Sequence, residues 1–60
     1  MSSFFIAEIG RFTVEWRKET NCYHVVEDVD GHFFDRGQGH IKKARAIAHA
    51  KRLFKTEKGE

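Results

Sequence analysis

The sequence predicts an α+β domain: an antiparallel meander sheet of three or four strands with one C-terminal helix packed on one face. Three observations lead there. Residues 12–17 alternate apolar and polar. Two turn signals, at 18–21 and at Asp30-Gly31, independently set registers that agree on one apolar face. Residues 41–55 then switch to the 3.6-residue period of an amphipathic helix.

Phe12, Val14 and Trp16 alternate with Thr13, Glu15 and Arg17, the period of a half-buried strand, and β-branched and aromatic residues suit a pleated surface. Lys18 to Asn21 is a polar break that reads as a hairpin loop. Cys22 to Val29 is the next strand, and His32 to Arg36 completes a second hairpin across Asp30-Gly31. A two-residue turn there pairs Val29 with His32, Glu27 with Phe34 and Val25 with Arg36. A four-residue loop at 18–21 pairs Arg17 with Cys22, Trp16 with Tyr23 and Val14 with Val25. Paired residues share a face. One face therefore collects Phe12, Val14, Trp16, Tyr23, Val25, Val29 and Phe34, and the other is mostly polar. Trp16 is expected between sheet and helix.

A single strand from Phe4 to Arg17 would run about 45 Å at ~3.3 Å per residue, too long for so small a domain, and Gly10 is the natural break. A tight turn at Gly10-Arg11 would place Phe5, Ala7 and Ile9 on the core face. A bulge or sharp bend at Gly10 is the alternative. In this register Phe33, Val26, Phe4 and Ile6 fall on the face away from the helix. Ile41 to Lys55 is the helix, with Ala46, Ile47, Ala50, Leu53 and Phe54 on one side and Lys42, Arg45, His49 and Arg52 on nearly the opposite side.

Sixty residues make one domain, 1–60, with an ordered core over about 4–55 and a polar tail at 56–60. A chain this short buries roughly 60% of its unfolded surface, which leaves little room for a deep pocket. The lone Cys22 excludes an internal disulfide and points to a reducing compartment. No signal peptide or membrane-length apolar run is present, so a cytoplasmic location is expected. Met1 suggests a complete small gene product.

The net charge of +2 hides an asymmetry. Residues 1–35 hold three basic and seven acidic residues, whereas 36–60 hold eight basic and two acidic, with no acid between Arg36 and Lys55. A helix face that is merely solvated usually mixes signs, so this stretch is the leading candidate for a site. Lys42, Lys43, Arg45, His49, Arg52, Lys55 and Arg36 are the candidate contacts to nucleic acid or another partner. Phe33 joins them as an exposed aromatic that stacks bases or anchors a protein. Gly37 and Gly39 precede the helix, where free backbone N–H groups suit an anion, but a lone Gly-x-Gly equally turns a chain from strand to helix.

Four histidines and Cys22 show no metal-ligand spacing, so no metal and no cofactor are expected. Glu15 and His24 would stand opposite each other across two strands, yet on an open face with no cleft and no nucleophile motif, so no enzymatic activity or small-molecule substrate is expected.

Over residues 11–55 the layout resembles the small sheet-plus-helix DNA-binding domains of plant APETALA-type factors and of some integrase N-termini, without a specific motif. That resemblance implies a sheet docked in the major groove. Glu15, Asp28 and Asp35 on the exposed sheet face depart from it. The expected function is a small non-enzymatic module that contacts nucleic acid or a nucleoprotein through its basic helix. The alternative is a protein-binding inhibitor or adaptor of the kind phages direct against host machinery, docking on an acidic protein surface. Either would act as a monomer or homodimer, away from membranes.

Overall fold

The computed structural model describes residues 3–58. Four antiparallel strands, β1 (Ser3–Ile9), β2 (Phe12–Arg17), β3 (Cys22–Val29) and β4 (His32–Asp35), form one open sheet in the order β1-β2-β3-β4. A single helix, α1 (Lys43–Lys58), lies across β1, β2 and β3. Both hairpins take the expected registers: Arg17 faces Cys22, Trp16 faces Tyr23 and Val14 faces Val25, while Glu27 faces Phe34 and Val29 faces His32. Asp30 (φ 54°) and Gly31 (φ 84°) are both left-handed, as a type I′ turn demands. The Gly31 N–H donates to Asp28 Oδ1 at 3.0 Å and closes that turn.

Strand β1 departs from the simple alternation. Phe4 faces Trp16 and Phe5 faces Glu15, but the next pair is Ala7 with Val14, so Ile6 is an extra residue. One inserted residue reverses which face each side chain takes. Ala7 and Ile9 keep the helix side, and Ile6 also packs against the core. Phe5, expected on the core face, lies on the opposite face and is 67% exposed. Phe4, expected outside, lies beside Trp16 with ring centroids 5.7 Å apart.

Phe12, Val14 and Val25 of the sheet and Ala46 and Ala50 of the helix form the buried core, with Tyr23, Ile47, Leu53 and Phe54 packed around it. The two alanines bring the helix backbone close to the sheet. The helix begins beside Tyr23 and ends with Phe54 over Gly10, where a Cβ would stand 2.3 Å from Phe54 Cε1. Gly10 therefore serves both the turn (φ +61°) and the helix contact. This diagonal path leaves two corners of the sheet uncovered. Phe4 and Trp16 occupy one, and Val29 and Phe34 occupy the other. Trp16 is accordingly half-buried, outside the buried cluster and covered by Phe4, not sandwiched between sheet and helix as expected.

The helix starts two residues later than the periodicity suggests, because His40 is still paired to β3. The Lys42 carbonyl accepts the N–H groups of Arg45 (3.1 Å) and Ala46 (3.3 Å), which makes Lys42 the capping position. Ile41 falls outside the helix and is 81% exposed. At the other end the helix continues through Lys58, three residues beyond the expected end at Lys55. Gly59 and Glu60 lie outside the described residues.

Two charge clusters close the sheet. On the helix side, Glu27 accepts hydrogen bonds from Arg11 Nε (2.6 Å) and from Arg36 Nη1. Both guanidinium groups also lie over the buried Phe12 ring, at 5.2 and 5.8 Å from its centroid, so the pair of cations seals the end of the core. On the outer side, Arg17 binds Glu15 through Nε (2.5 Å) and forks onto Asp35 at 2.7 and 3.2 Å. From the register, Arg17 must cross β3 diagonally to reach β4. Val26 sits in the row between Thr13 and Asp35, beside that link, which explains why it is only 4% exposed on an otherwise polar face.

These contacts predict acid lability. The bond from Arg11, joined by that from Arg36, holds the Glu27 carboxyl below its ordinary value of 4.5. Arg17 likewise holds Asp35 below 3.8. A carboxyl depressed by folding contributes stability that is complete above its unfolded value and is lost as pH falls through the folded one. The melting temperature is therefore expected to fall as pH drops below that of free carboxylates. Glu27→Gln should lower the melting temperature at neutral pH and flatten the acid limb. An acid limb as steep as that of the parent would remove Glu27 from this role.

Candidate anion-binding cleft on the helix flank

The chain between β4 and α1 acts as a strap along the free edge of β3. The Arg36 N–H donates to the Val25 carbonyl at 2.8 Å. Gly37 (φ +84°) turns the chain outward. Gly39 passes so close to the strand that a Cβ there would stand 2.7 Å from Cys22 Cβ and 2.8 Å from His24 Cε1. His40 then rejoins β3, exchanging two backbone hydrogen bonds with Tyr23 at 2.7 and 2.8 Å. The two glycines thus serve chain reversal and close approach.

This course sets His40 against the flank of the helix. Its Nε2 lies 3.1 Å from His49 Nδ1, with the rings nearly perpendicular at 73°. One ring donates and the other accepts. Arg45, His49 and Arg52 follow at i, i+4 and i+7 and share one side of the helix, with Ala48 leaving space between them. Together with His40 these four residues line an open cleft of about 170 Å³.

The predicted contacts divide between this region and others. Lys42, Lys43, Arg45, Arg52 and Lys55 are exposed on or next to the helix. His49 is half-buried against His40, on the flank and not on the outermost face. Arg36 is committed to Glu27 and covers Phe12, so it is part of the sheet's own charge balance. Phe33 is 69% exposed, but it stands opposite Asp28 on the sheet face away from the helix, and the fold does not bring it to the basic surface. His40 is the member that sequence spacing does not reveal. Its only sequence signal is the Gly37/Gly39 reversal, which returns the chain to the helix.

The arginines fall into two groups. Arg11, Arg17 and Arg36 each bind a carboxylate. Among the described residues, no carboxylate binds Arg45 or Arg52. Burial, followed by the charges of His40, Arg52 and Arg36, holds the His49 imidazole below its ordinary value of 6.5. The cleft is thus lined by donors and positive charge, the arrangement that suits an anion.

Other candidate chemistry is already engaged elsewhere. Glu15 does stand opposite His24, but its carboxylate binds Arg17, and His24 Nε2 lies 2.6 Å from Thr20 Oγ1. Among the described residues, no three of His, Cys, Asp and Glu converge as metal ligands, and no helix is long and apolar enough to cross a membrane. No protein-family model matches the chain, and no curated protein or solved structure matches it.

The strap carries its own prediction. Gly39→Ala forces a methyl group against Cys22 and His24, and overpacking against a strand costs ~1–3 kcal/mol. Urea denaturation should show a loss in that range. The variant's His40 and His49 ring resonances should also shift, because the strap must lift. Unchanged stability and unchanged resonances would contradict the close approach.

Proposed function

We propose that this chain is a non-enzymatic binding module that contacts nucleic acid, or a nucleoprotein, through the basic surface of α1. The observation that supports this most is the division of the charges. The sheet's arginines are neutralised within the fold, while Arg45 and Arg52 line a cleft without a carboxylate partner among the described residues. Lys42 and Lys55 extend the same cationic surface at either end. Charged groups left without internal partners are available to phosphates, and their summed field favours a polyanion. The outer sheet face carries Glu8, Glu15, Asp28 and Asp35, so the helix is the better docking element than the sheet.

A second reading, the protein-binding inhibitor or adaptor, draws on a different feature. Phe4 and Phe5 on the edge strand β1, and Phe33 and Phe34 on the edge strand β4, are all exposed. Aromatics at open sheet edges suit a protein partner.

A gel-shift titration at low ionic strength with duplex and single-stranded probes separates the two. The nucleic-acid reading predicts binding with little sequence preference that falls steeply with salt, because each neutralised phosphate releases counterions. Replacing Arg45 and Arg52 together by Glu should abolish the shift and leave the fold intact. Lys42→Gln should weaken all probes alike and lower the salt slope by about one. No shift at protein concentrations up to ~10⁻⁴ M would overturn this reading. A nuclease-resistant protein partner in pull-downs would then support the second.

A further inference from the structure

We infer that the cleft between the strap and the helix holds one phosphodiester group of the bound nucleic acid, with the His40–His49 pair as its proton-gated floor. The inference rests on the basic-helix reading above and assigns that surface a specific point of contact.

The geometry supplies three kinds of donor around one opening. Arg45 and Arg52 stand two helical turns apart on either side of His49, and Ala48 between them keeps the opening clear of side chain. The histidine pair forms the wall formed by strap and helix together, with Nε2 of His40 and Nδ1 of His49 directed at each other. The nitrogens left over are Nδ1 of His40 and Nε2 of His49. In the neutral pair only one of these two carries a proton, because one of the rings must accept across the 3.1 Å contact. When the pair takes up one proton, it goes to the bare outer nitrogen of the donating ring; the proton already in the contact stays between the rings, and both outer nitrogens become donors. The pair then carries one positive charge between two arginines.

That state is unfavourable in the empty cleft. His40 and Arg36 from the strap segment, and Arg52 from the helix, act on His49 together with its burial. Arg45 lines the opening as well. Arg36 is itself partly balanced by Glu27. No carboxylate among the described residues binds either histidine. An anion seated between Arg45 and Arg52 supplies the missing negative charge. Anion binding and protonation of the pair are then linked: each favours the other, and affinity rises as pH falls. A phosphodiester fits because it keeps a single negative charge across this pH range. The requirement for one anion between two arginines selects a chain phosphate, which a cleft of about 170 Å³ accommodates, over an extended ligand.

The test uses inorganic sulfate as the probe, since its charge does not change over the range in which histidine titrates. Sulfate is added to the full chain at about pH 8 and at about pH 5.5, and the histidine ring and arginine side-chain resonances are followed by NMR. The inference predicts shifts at His40, His49, Arg45 and Arg52, with affinity about five- to tenfold higher at the lower pH, as linkage to one proton requires. Arg45→Gln should weaken binding at both values and keep the pH dependence. Replacing His40 and His49 together by Gln should remove most of the pH dependence, while His40→Gln alone keeps part of it through His49. A pH-independent sulfate affinity in the parent, or a double variant as pH-dependent as the parent, would overturn the inference. A short single-stranded oligonucleotide run alongside separates the two claims. If it binds through the helix while sulfate leaves both histidines unmoved, the basic-helix reading stands and the cleft assignment fails. If sulfate binds as described and the oligonucleotide does not, the anion site stands and its assignment to nucleic acid fails.

Discussion

The attachment of the strap to the free edge of β3 is the constraint from which the rest of the molecule follows. The Arg36 amide on Val25 and the reciprocal bonds between His40 and Tyr23 fix the chain at two points four residues apart. Between them Gly37 takes a left-handed conformation, and Gly39 passes too close to Cys22 and His24 for a larger residue. The second point of attachment sets where the helix begins, and so sets its diagonal path over Val14, Val25 and Phe12 toward Gly10. It also sets His40 against His49. A strap released from β3 would leave the helix with its alanine face to dock but without a defined origin, and the cleft would lose one wall.

Charge is partitioned along the same lines. Glu27 and Asp35 draw Arg11, Arg36 and Arg17 onto the sheet, where the guanidinium groups cover Phe12 and span the outer surface beside Val26. Exposed ion pairs contribute little individually. The value of these lies in what they cover: a core this small ends at Phe12, and two planar cations close it without adding a further layer of apolar residues. Three acidic residues of the first half, Glu15, Glu27 and Asp35, are thereby engaged by arginines within the sheet. The helix retains its cations in a form that an external anion meets unneutralised.

Elements governed by local chemistry were legible in the sequence. Asp30-Gly31 and the 18–21 loop specify their own turns, and both registers follow from them. The amphipathic period identified the helix and its buried Ala46 and Ala50. Features that depend on distant partners were not. Nothing in Phe4-Phe5-Ile6-Ala7 marks the bulge, since all four residues are apolar and either face could have taken any of them. The helix start moved because His40 pairs with Tyr23, seventeen positions away in sequence. Arg36 counted as one more cation of the basic segment until its contact with Glu27 assigned it to the sheet. Phe33 falls on the face away from α1 in the sequence register and in the structure alike, so grouping it with the helix cations joined residues on opposite sides of the sheet.

A strap held at both ends builds the cleft and positions the helix that carries it. Amide hydrogen exchange on the native protein reads the opening of individual backbone bonds and so examines both attachments. The amides of Arg36, Tyr23 and His40 should exchange as slowly as those of the core strands, while those of Gly37 and Gln38 between them exchange rapidly. Fast exchange at Tyr23 and His40, at the rate of an unprotected loop, would contradict the attachment at both ends.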